Sequence, residues 1–116
     1  MRVDEIAAVR DAFVRQAWKD AYAGFRTTDR AQLDAEDLER LAVCAYMVGK
    51  DEASADAWTR AHSEWLRLRD VRRAARCTFW LVLDLVTRGE RAQARGWLAR
   101  TQHLLEDAAG CATSSA

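Results

Sequence analysis

The chain has 116 residues, of which 50% are hydrophobic and five are tryptophan, so it has enough apolar surface for one domain of ordinary size. Its formal net charge is zero, which argues against a general nucleic-acid binder, because such proteins need a positive excess to displace counterions from phosphate. Proline is absent, and a proline-free chain rich in alanine, leucine and arginine favours an all-α fold.

The sequence also indicates the cellular compartment of the protein. No uninterrupted apolar run approaches the roughly 18 residues of a membrane span, and the charged segment 1–5 has no apolar signal-peptide core. Cys44, Cys77 and Cys111 are an odd set without a short pairing spacing, so we interpret them as reduced thiols. The sequence therefore predicts a cytoplasmic protein without a membrane partner.

The first predicted helix covers residues 3–25. Its apolar stripe consists of Ile6, Val9, Phe13, Ala17, Ala21 and Phe25. This wide face predicts contact with more than one neighbour. Gly24 is a weak C-terminal stop, and the non-periodic segment 26–33 is predicted to be a connecting loop.

Two helices are predicted on either side of Gly49. Asp34 or Asp37 caps the second helix, which ends near Val48, and Asp51 caps the third. Glycine at the junction supplies the permissive backbone that a tight turn needs. The pattern is typical of a helix hairpin.

The fourth predicted helix begins after Asp70, is apolar nearly all round and ends at Gly89. The fifth covers residues 90–107 and carries Trp97 and Leu104. We predict a helical-repeat domain over 1–109 and a disordered C-terminal tail over 110–116, which is small and polar.

The hairpin recurs along the chain. Gly49 and Gly89 lie 40 positions apart, and the same offset aligns Leu41 with Leu81 and Trp58 with Trp18. A two-helix period near 40 residues indicates an α-solenoid. We therefore predict about five antiparallel helices forming two and a half helix hairpins.

The spacing of small and large residues resembles the tetratricopeptide pattern. The matching positions are Leu38, Leu41, Ala42, Ala45, Gly49, Ser54, Trp58 and Ala61. The second copy departs from it at Val82 and Thr101, and the period exceeds the roughly 34 residues of a standard repeat. The resemblance implies a tetratricopeptide-like fold with longer helices.

A second resemblance, to a narrower family, rests on longer stretches of sequence. These are residues 18–25, 37–42, 57–62, 74–81 and 96–100. They are similar to the start of the N-terminal repeat region of LuxR-like transcription regulators, which also carry a C-terminal helix-turn-helix. The chain has no segment matching that DNA-binding domain. It is thus either a fragment or a short relative of such a regulator.

The tetratricopeptide resemblance implies that the first helix of each hairpin lines a concave groove, the default binding surface of such solenoids. The candidate partner-binding residues are Glu36, Glu39, Val43, Tyr46, Met47, Arg76, Phe79 and Leu83. An acidic flank, a basic flank and an apolar floor suit an extended peptide or a helix. The alternative is that this face only packs against the first helix or further repeats.

Other candidate sites are weaker. Arg69, Arg72 and Arg73 form a candidate anion-binding cluster, with a solvated turn paired to acidic neighbours as the alternative. His62 and His103 stand in no metal-ligand spacing, so we interpret them as surface histidines and predict no metal. No motif indicates catalysis, and we predict no enzyme activity and no cofactor.

The leading hypothesis is a non-enzymatic protein-interaction or regulatory module, derived from the sensory half of a LuxR-like regulator. A protein or peptide partner would dock in the groove, or copies would self-associate as a homodimer through exposed terminal helices, where Trp97 or Leu104 should be bare. We expect no nucleic-acid binding by this chain alone. The alternative is a small-molecule sensor, with a pocket between the fourth and first helices near Tyr46, Phe79 and Trp80.

Overall fold

Helices account for almost all of the chain, as the composition predicts. The computed structural model describes the backbone of residues 3–114 and the side chains of residues 5–29 and 31–107, and it contains no strand within 3–114. Its helices are α1 (Val3–Val14), α2 (Trp18–Thr27), α3 (Ala35–Met47), α4 (Asp51–Arg67), α5 (Val71–Thr87) and α6 (Arg91–Ser114). A short 3₁₀ turn (Arg30–Gln32) precedes α3.

The predicted first helix over residues 3–25 is wrong, because two helices occupy that segment. Gln16 has a φ of 62°, a left-handed conformation that no helix interior contains. The Gln16 amide donates to the Phe13 carbonyl at 3.0 Å, and the Ala17 amide donates to the Ala12 carbonyl at 2.9 Å. These two hydrogen bonds end α1. The described residues therefore hold six α-helices where the sequence predicts five.

Four of the five connections between the described α-helices close in the same way, and the α2–α3 connection, which contains the 3₁₀ turn, is the exception. The left-handed residues are Gln16, Gly49, Arg69 and Gly89, with φ values of 62°, 80°, 62° and 81°. At each of these turns the amide of the left-handed residue donates to the carbonyl three positions back, as in a Schellman motif. The distance is 2.9 Å at Arg69 and 3.0–3.1 Å at the other three. The predicted glycine turns at Gly49 and Gly89 are present.

The last three turns follow at intervals of 20 residues, half of the predicted hairpin period. Five positions after each left-handed residue stands a small buried side chain, namely Ser54, Ala74 and Ala94. Small residues at these positions let the start of one helix approach its predecessor closely. The Ser54 hydroxyl donates to the Ala42 carbonyl on α3 at 2.7 Å. The tetratricopeptide-like nature of the repeat stays a prediction.

The helix starts are capped by acidic side chains at two of the predicted places. Asp34 caps α3 in a reciprocal capping box: its Oδ1 accepts from the Asp37 amide at 2.8 Å, and the Asp34 amide donates to Asp37 Oδ2 at 3.3 Å. Asp70 caps α5 by accepting from the Arg73 amide at 3.1 Å. Asp51 is the first residue of α4 and lies in its first turn.

The chain forms two compact units, Met1–Ala61 and His62–Ala116. In the first unit α1 packs on α2 and α2 on α3. A cluster of buried residues fills the space between these helices and comprises Ile6, Ala12, Ala21, Phe25 and Cys44. Gly24 lies inside α2 rather than ending it, and it allows the close approach of α1.

In the second unit α5 packs on α6. The buried side of α5 includes Ala74, Cys77, Leu81 and Leu85. α6 continues to Ser114, beyond the predicted helix end near residue 107 and into the segment predicted as a tail. The side chains of residues 108–116, including Cys111, lie outside the described residues.

Candidate interaction surfaces

The first predicted set of partner-binding residues lies along one side of α3. Tyr46 and Met47 are exposed near the C-terminal end of the helix, with 59% and 50% of their surface accessible. Glu36 is exposed near the N-terminal end, whereas Glu39 and Val43 are half-buried. This α3 surface (Glu36, Glu39, Val43, Tyr46, Met47) is thus acidic at one end and apolar at the other.

The second predicted set lies on α5. Arg76, Phe79 and Leu83 are exposed, and Trp80 and Val86 complete the same face at spacings of three or four residues. The Phe79 and Trp80 rings meet edge to face, with centroids 5.3 Å apart. We call Arg76, Phe79, Trp80, Leu83 and Val86 the α5 surface.

The two surfaces belong to different compact units, α3 to the first and α5 to the second. A common groove formed by both stays a prediction. The residues named for an enclosed ligand pocket are Tyr46, Phe79 and Trp80, and all three are exposed. Exposed side chains do not enclose a cavity, so these residues give the small-molecule hypothesis no support.

The predicted anion cluster is largely engaged in local contacts. The Arg73 guanidinium lies 4.7 Å from the centroid of the Trp65 ring, and its Nε is 3.5 Å from Asp70 Oδ2. The Asp70 carboxylate already accepts from the Arg73 amide in the first turn of α5, to which a bound anion would otherwise hydrogen-bond. Arg69 forms the left-handed turn, and Arg72 is exposed. Anion binding by Arg69, Arg72 and Arg73 stays a prediction.

A buried carboxylate on α3 is the centre of a charge cluster that the sequence did not reveal. Asp37 is fully buried, and Arg10 on α1 donates to both of its oxygens at 2.9 and 2.6 Å. Arg40 adds a hydrogen bond at 2.8 Å. Burial raises the pKa of the Asp37 carboxyl, but the hydrogen bonds from Arg10 and the Asp34 amide and the charges of Arg10 and Arg40 together lower it by more, so the pKa lies below its ordinary value.

The prediction that His62 is a surface residue is wrong, because it is 3% exposed in the second unit. Its Nδ1 lies 2.9 Å from the Ala74 carbonyl and 2.9 Å from Thr78 Oγ1. Since a carbonyl only accepts, Nδ1 carries the proton. The Trp97 ring covers the imidazole edge to face at 5.2 Å. His103 is exposed, as predicted, with Nδ1 3.9 Å from Glu106.

The two described cysteines are buried thiols outside any disulfide. Cys44 and Cys77 are both 0% exposed and form no disulfide. Burial raises the pKa of the Cys44 thiol to about 11, so little thiolate exists at neutral pH. These two residues therefore behave as small apolar core residues.

α6 has a half-buried side and an exposed side. The predicted exposure of Trp97 or Leu104 is wrong, because both are half-buried, and the Arg100 guanidinium covers the Trp97 ring at 4.8 Å. Leu98 and Leu105 are exposed instead. α6 therefore has apolar side chains on its exposed side as well as on the side that packs against α5.

Among the described residues, no group of three or more histidine, cysteine or acidic side chains is arranged to hold a metal ion. None of the helices described is both long enough and apolar enough to cross a membrane. The chain matches no protein-family model, no curated protein and no solved structure. The resemblance to LuxR-like regulators stays a prediction from the residues that carry it.

Proposed function

We propose that the chain is a non-enzymatic protein-interaction module built from tetratricopeptide-like hairpins, of the kind found in the regulatory half of LuxR-like transcription regulators. One observation supports this proposal above the others. The α5 surface holds Phe79, Trp80, Leu83 and Val86 outside a core that the opposite face of α5 already fills. Contiguous exposed apolar side chains typically mark an interaction site.

The apolar part of the α5 surface supplies the affinity. Phe79 and Leu83 are exposed by 60% and 46%, one helical turn apart. Complete burial of such a side chain is worth about 1.5–3 kcal/mol before the entropy costs of association. A partner that presents two or three apolar anchors at helical spacing would cover them.

The charged part of α5 defines the chemistry of the partner. Arg72 and Arg76 are exposed in the N-terminal half of α5, where the acidic N-cap Asp70 is already paired with Arg73. Cations at the positive end of a helix dipole are unfavourable, so the helix itself gains nothing from them there. An acidic segment of a partner would be attracted to this basic end. We therefore assign the α5 surface to an amphipathic helix of a partner protein, with acidic residues beside its apolar anchors.

Fluorescence polarisation with two synthetic peptides tests this function. Both probes are labelled amphipathic helices of about four turns with leucine at helical spacing, one carrying glutamates at one end and the other lysines in their place. We expect the acidic peptide to bind about tenfold more tightly than the basic one, and added salt to weaken it.

Matched variants locate the binding surface. Phe79→Ser and Leu83→Ser should each weaken binding of the acidic peptide about tenfold or more. Val14→Ser, which removes an exposed apolar side chain on α1, should leave it unchanged. Equal affinity for the two peptides, or equal effects of Phe79→Ser and Val14→Ser, would refute the assignment.

A further inference from the structure

α6 carries a second exposed stripe, beside the face that packs on α5. Its members recur at spacings of three or four residues and are Arg91, Arg95, Leu98, Gln102, Leu105 and Glu106. All six side chains are exposed. Leu98 and Leu105 lie seven positions apart, so they lie on the same side of the helix two turns from each other. The stripe therefore has two apolar side chains with charged residues on both sides.

The charges of this α6 stripe are arranged against the helix dipole. Arg91 and Arg95 lie near the N-terminal end, which carries the positive partial charge, and Glu106 lies further along the helix. Glu90 immediately precedes α6, and the first turn of the helix itself has no acidic residue. For an isolated helix this order is unfavourable. For two antiparallel helices it is favourable, because each basic end then meets an acidic segment.

We propose that α6 pairs antiparallel with α6 of a second copy of the chain, around a two-fold axis near Gln102. In an isologous pair, residue i contacts residue j and residue j contacts residue i. Placing Leu98 against Leu105 of the second copy also places Leu105 against Leu98. The same register brings the two Gln102 amides together at the axis. It brings Arg95 within side-chain reach of Glu106 of the second copy.

The charge pattern selects this orientation. In a parallel pair, Arg95 would face the second Arg95, and Glu106 would face the second Glu106. Like charges at a contact oppose association, and complementary ones suppress wrong registers. Among the described side chains of its own chain, Glu106 has weak neighbours, Gln102 Nε2 at 3.5 Å and His103 Nδ1 at 3.9 Å. The antiparallel pair gives Glu106 an arginine.

Sedimentation velocity over a concentration series to about 1 mM tests the pairing. We expect a reversible dimer. Leu98→Ser should raise its dissociation constant on the order of a hundredfold, because symmetry removes two leucine contacts. Arg95→Glu and Glu106→Arg should each raise the dissociation constant about tenfold, since each replaces two attractive pairs by two repulsive ones.

Charge exchange provides the sharpest readout. A mixture of the Arg95→Glu chain with the Glu106→Arg chain should recover wild-type association, because each arginine again faces a glutamate. The double variant should recover it alone. Since all these side chains are exposed, circular dichroism should show unchanged helix content. A monomer throughout the series, or a dimer insensitive to Arg95→Glu, would overturn the pairing.

One further control separates this pairing from the peptide-binding function. Phe79→Ser on α5 should leave the dimer intact and weaken binding of the acidic peptide about tenfold or more. Leu98→Ser should weaken the dimer and leave peptide binding unchanged. Loss of dimerisation in Phe79→Ser would overturn the assignment of the contact to α6.

Discussion

Arg10 donates two parallel hydrogen bonds to the buried carboxylate of Asp37, from Nε at 2.9 Å and from Nη2 at 2.6 Å. The two residues are 27 positions apart, so this pair ties α1 to α3. Arg10 remains 40% exposed along its side chain, whereas that of Asp37 is fully buried. Water can solvate the Arg10 side chain but not the Asp37 carboxylate. Removing Arg10 and removing Asp37 should therefore have different effects on stability.

The buried carboxylate gives the protein a defined sensitivity to acid. Because the pKa of Asp37 is lowered in the folded protein, its stabilisation is complete above its ordinary value of 3.8 and is lost as pH falls through the folded pKa. We expect Asp37→Asn to cost about 2–3 kcal/mol at pH 7 and to flatten the fall in melting temperature below pH 3.8. Thermal melts by circular dichroism measure both effects. Asp56→Asn, at an exposed carboxylate on α4, should retain the wild-type acid dependence.

Removing Arg10 should be more harmful than removing an exposed arginine on the same segment. Arg10→Ala leaves Asp37 buried with Arg40 as its remaining cation, and we expect a loss of about 3 kcal/mol. Arg15→Ala breaks only an exposed pair with Asp11 and should cost less than about 0.5 kcal/mol. Urea denaturation of both variants measures the difference. Equal midpoints would show that the buried carboxylate has other sufficient support.

Gly24 and Gly96, which lie inside α2 and α6, should respond in opposite directions to alanine. A Cβ on Gly24 would lie 2.5 Å from Cγ2 of Val9, a stiff branched side chain on α1. We expect Gly24→Ala to destabilise the protein by about 1–2 kcal/mol despite the better helix propensity of alanine. Gly96→Ala meets no atom within 4 Å and should stabilise by about 0.5–1 kcal/mol. Chemical denaturation of the pair measures the sign, and a stabilised Gly24→Ala would exclude close contact at Val9.

Arg69 adopts the conformation that glycine adopts in the turns before and after it. Its φ is 62°, beside 80° at Gly49 and 81° at Gly89. Arg69→Gly should therefore raise stability by about 0.5–1 kcal/mol, as left-handed backbone has no steric cost for glycine. Arg69→Ala removes the same side chain without that relief and is the control. If melting temperatures rise equally in both variants, the gain comes from the charge and not from the backbone.

The Cys44 thiol should be nearly inert in the folded protein. It is fully buried, and its pKa is raised to about 11. We expect iodoacetamide at pH 8 to leave Cys44 unmodified in native protein and to alkylate it within minutes in guanidinium chloride. Peptide mapping by mass spectrometry distinguishes the three cysteines. Fast native labelling of Cys44 would indicate that the first unit opens readily.

The sequence predicts α3 to α5 and the start of α6 well because apolar spacing and a neighbouring glycine mark each of them, but it places the end of α6 near residue 107 instead of Ser114. It does not predict the break at Gln16, because a glutamine in the left-handed conformation leaves no compositional signal and only tertiary packing selects it. Burial of Asp37 depends on Arg10 from another helix, which one-dimensional spacing cannot show. His62 had a usable signal, since it lies beside Ala61 and between Trp58 and Trp65 on the apolar side of α4.

The evenly spaced turns have a consequence for how such a chain can lengthen or shorten. Gly49, Arg69 and Gly89 close their helices with the same pair of backbone bonds, so a cut at one turn and a join at another would preserve local geometry. Each turn reverses the direction of the chain. Loss of one 20-residue segment would remove one helix and one turn, whereas loss of 40 residues would remove a whole hairpin. Duplication and deletion in such a chain should therefore be tolerated in even numbers of helices.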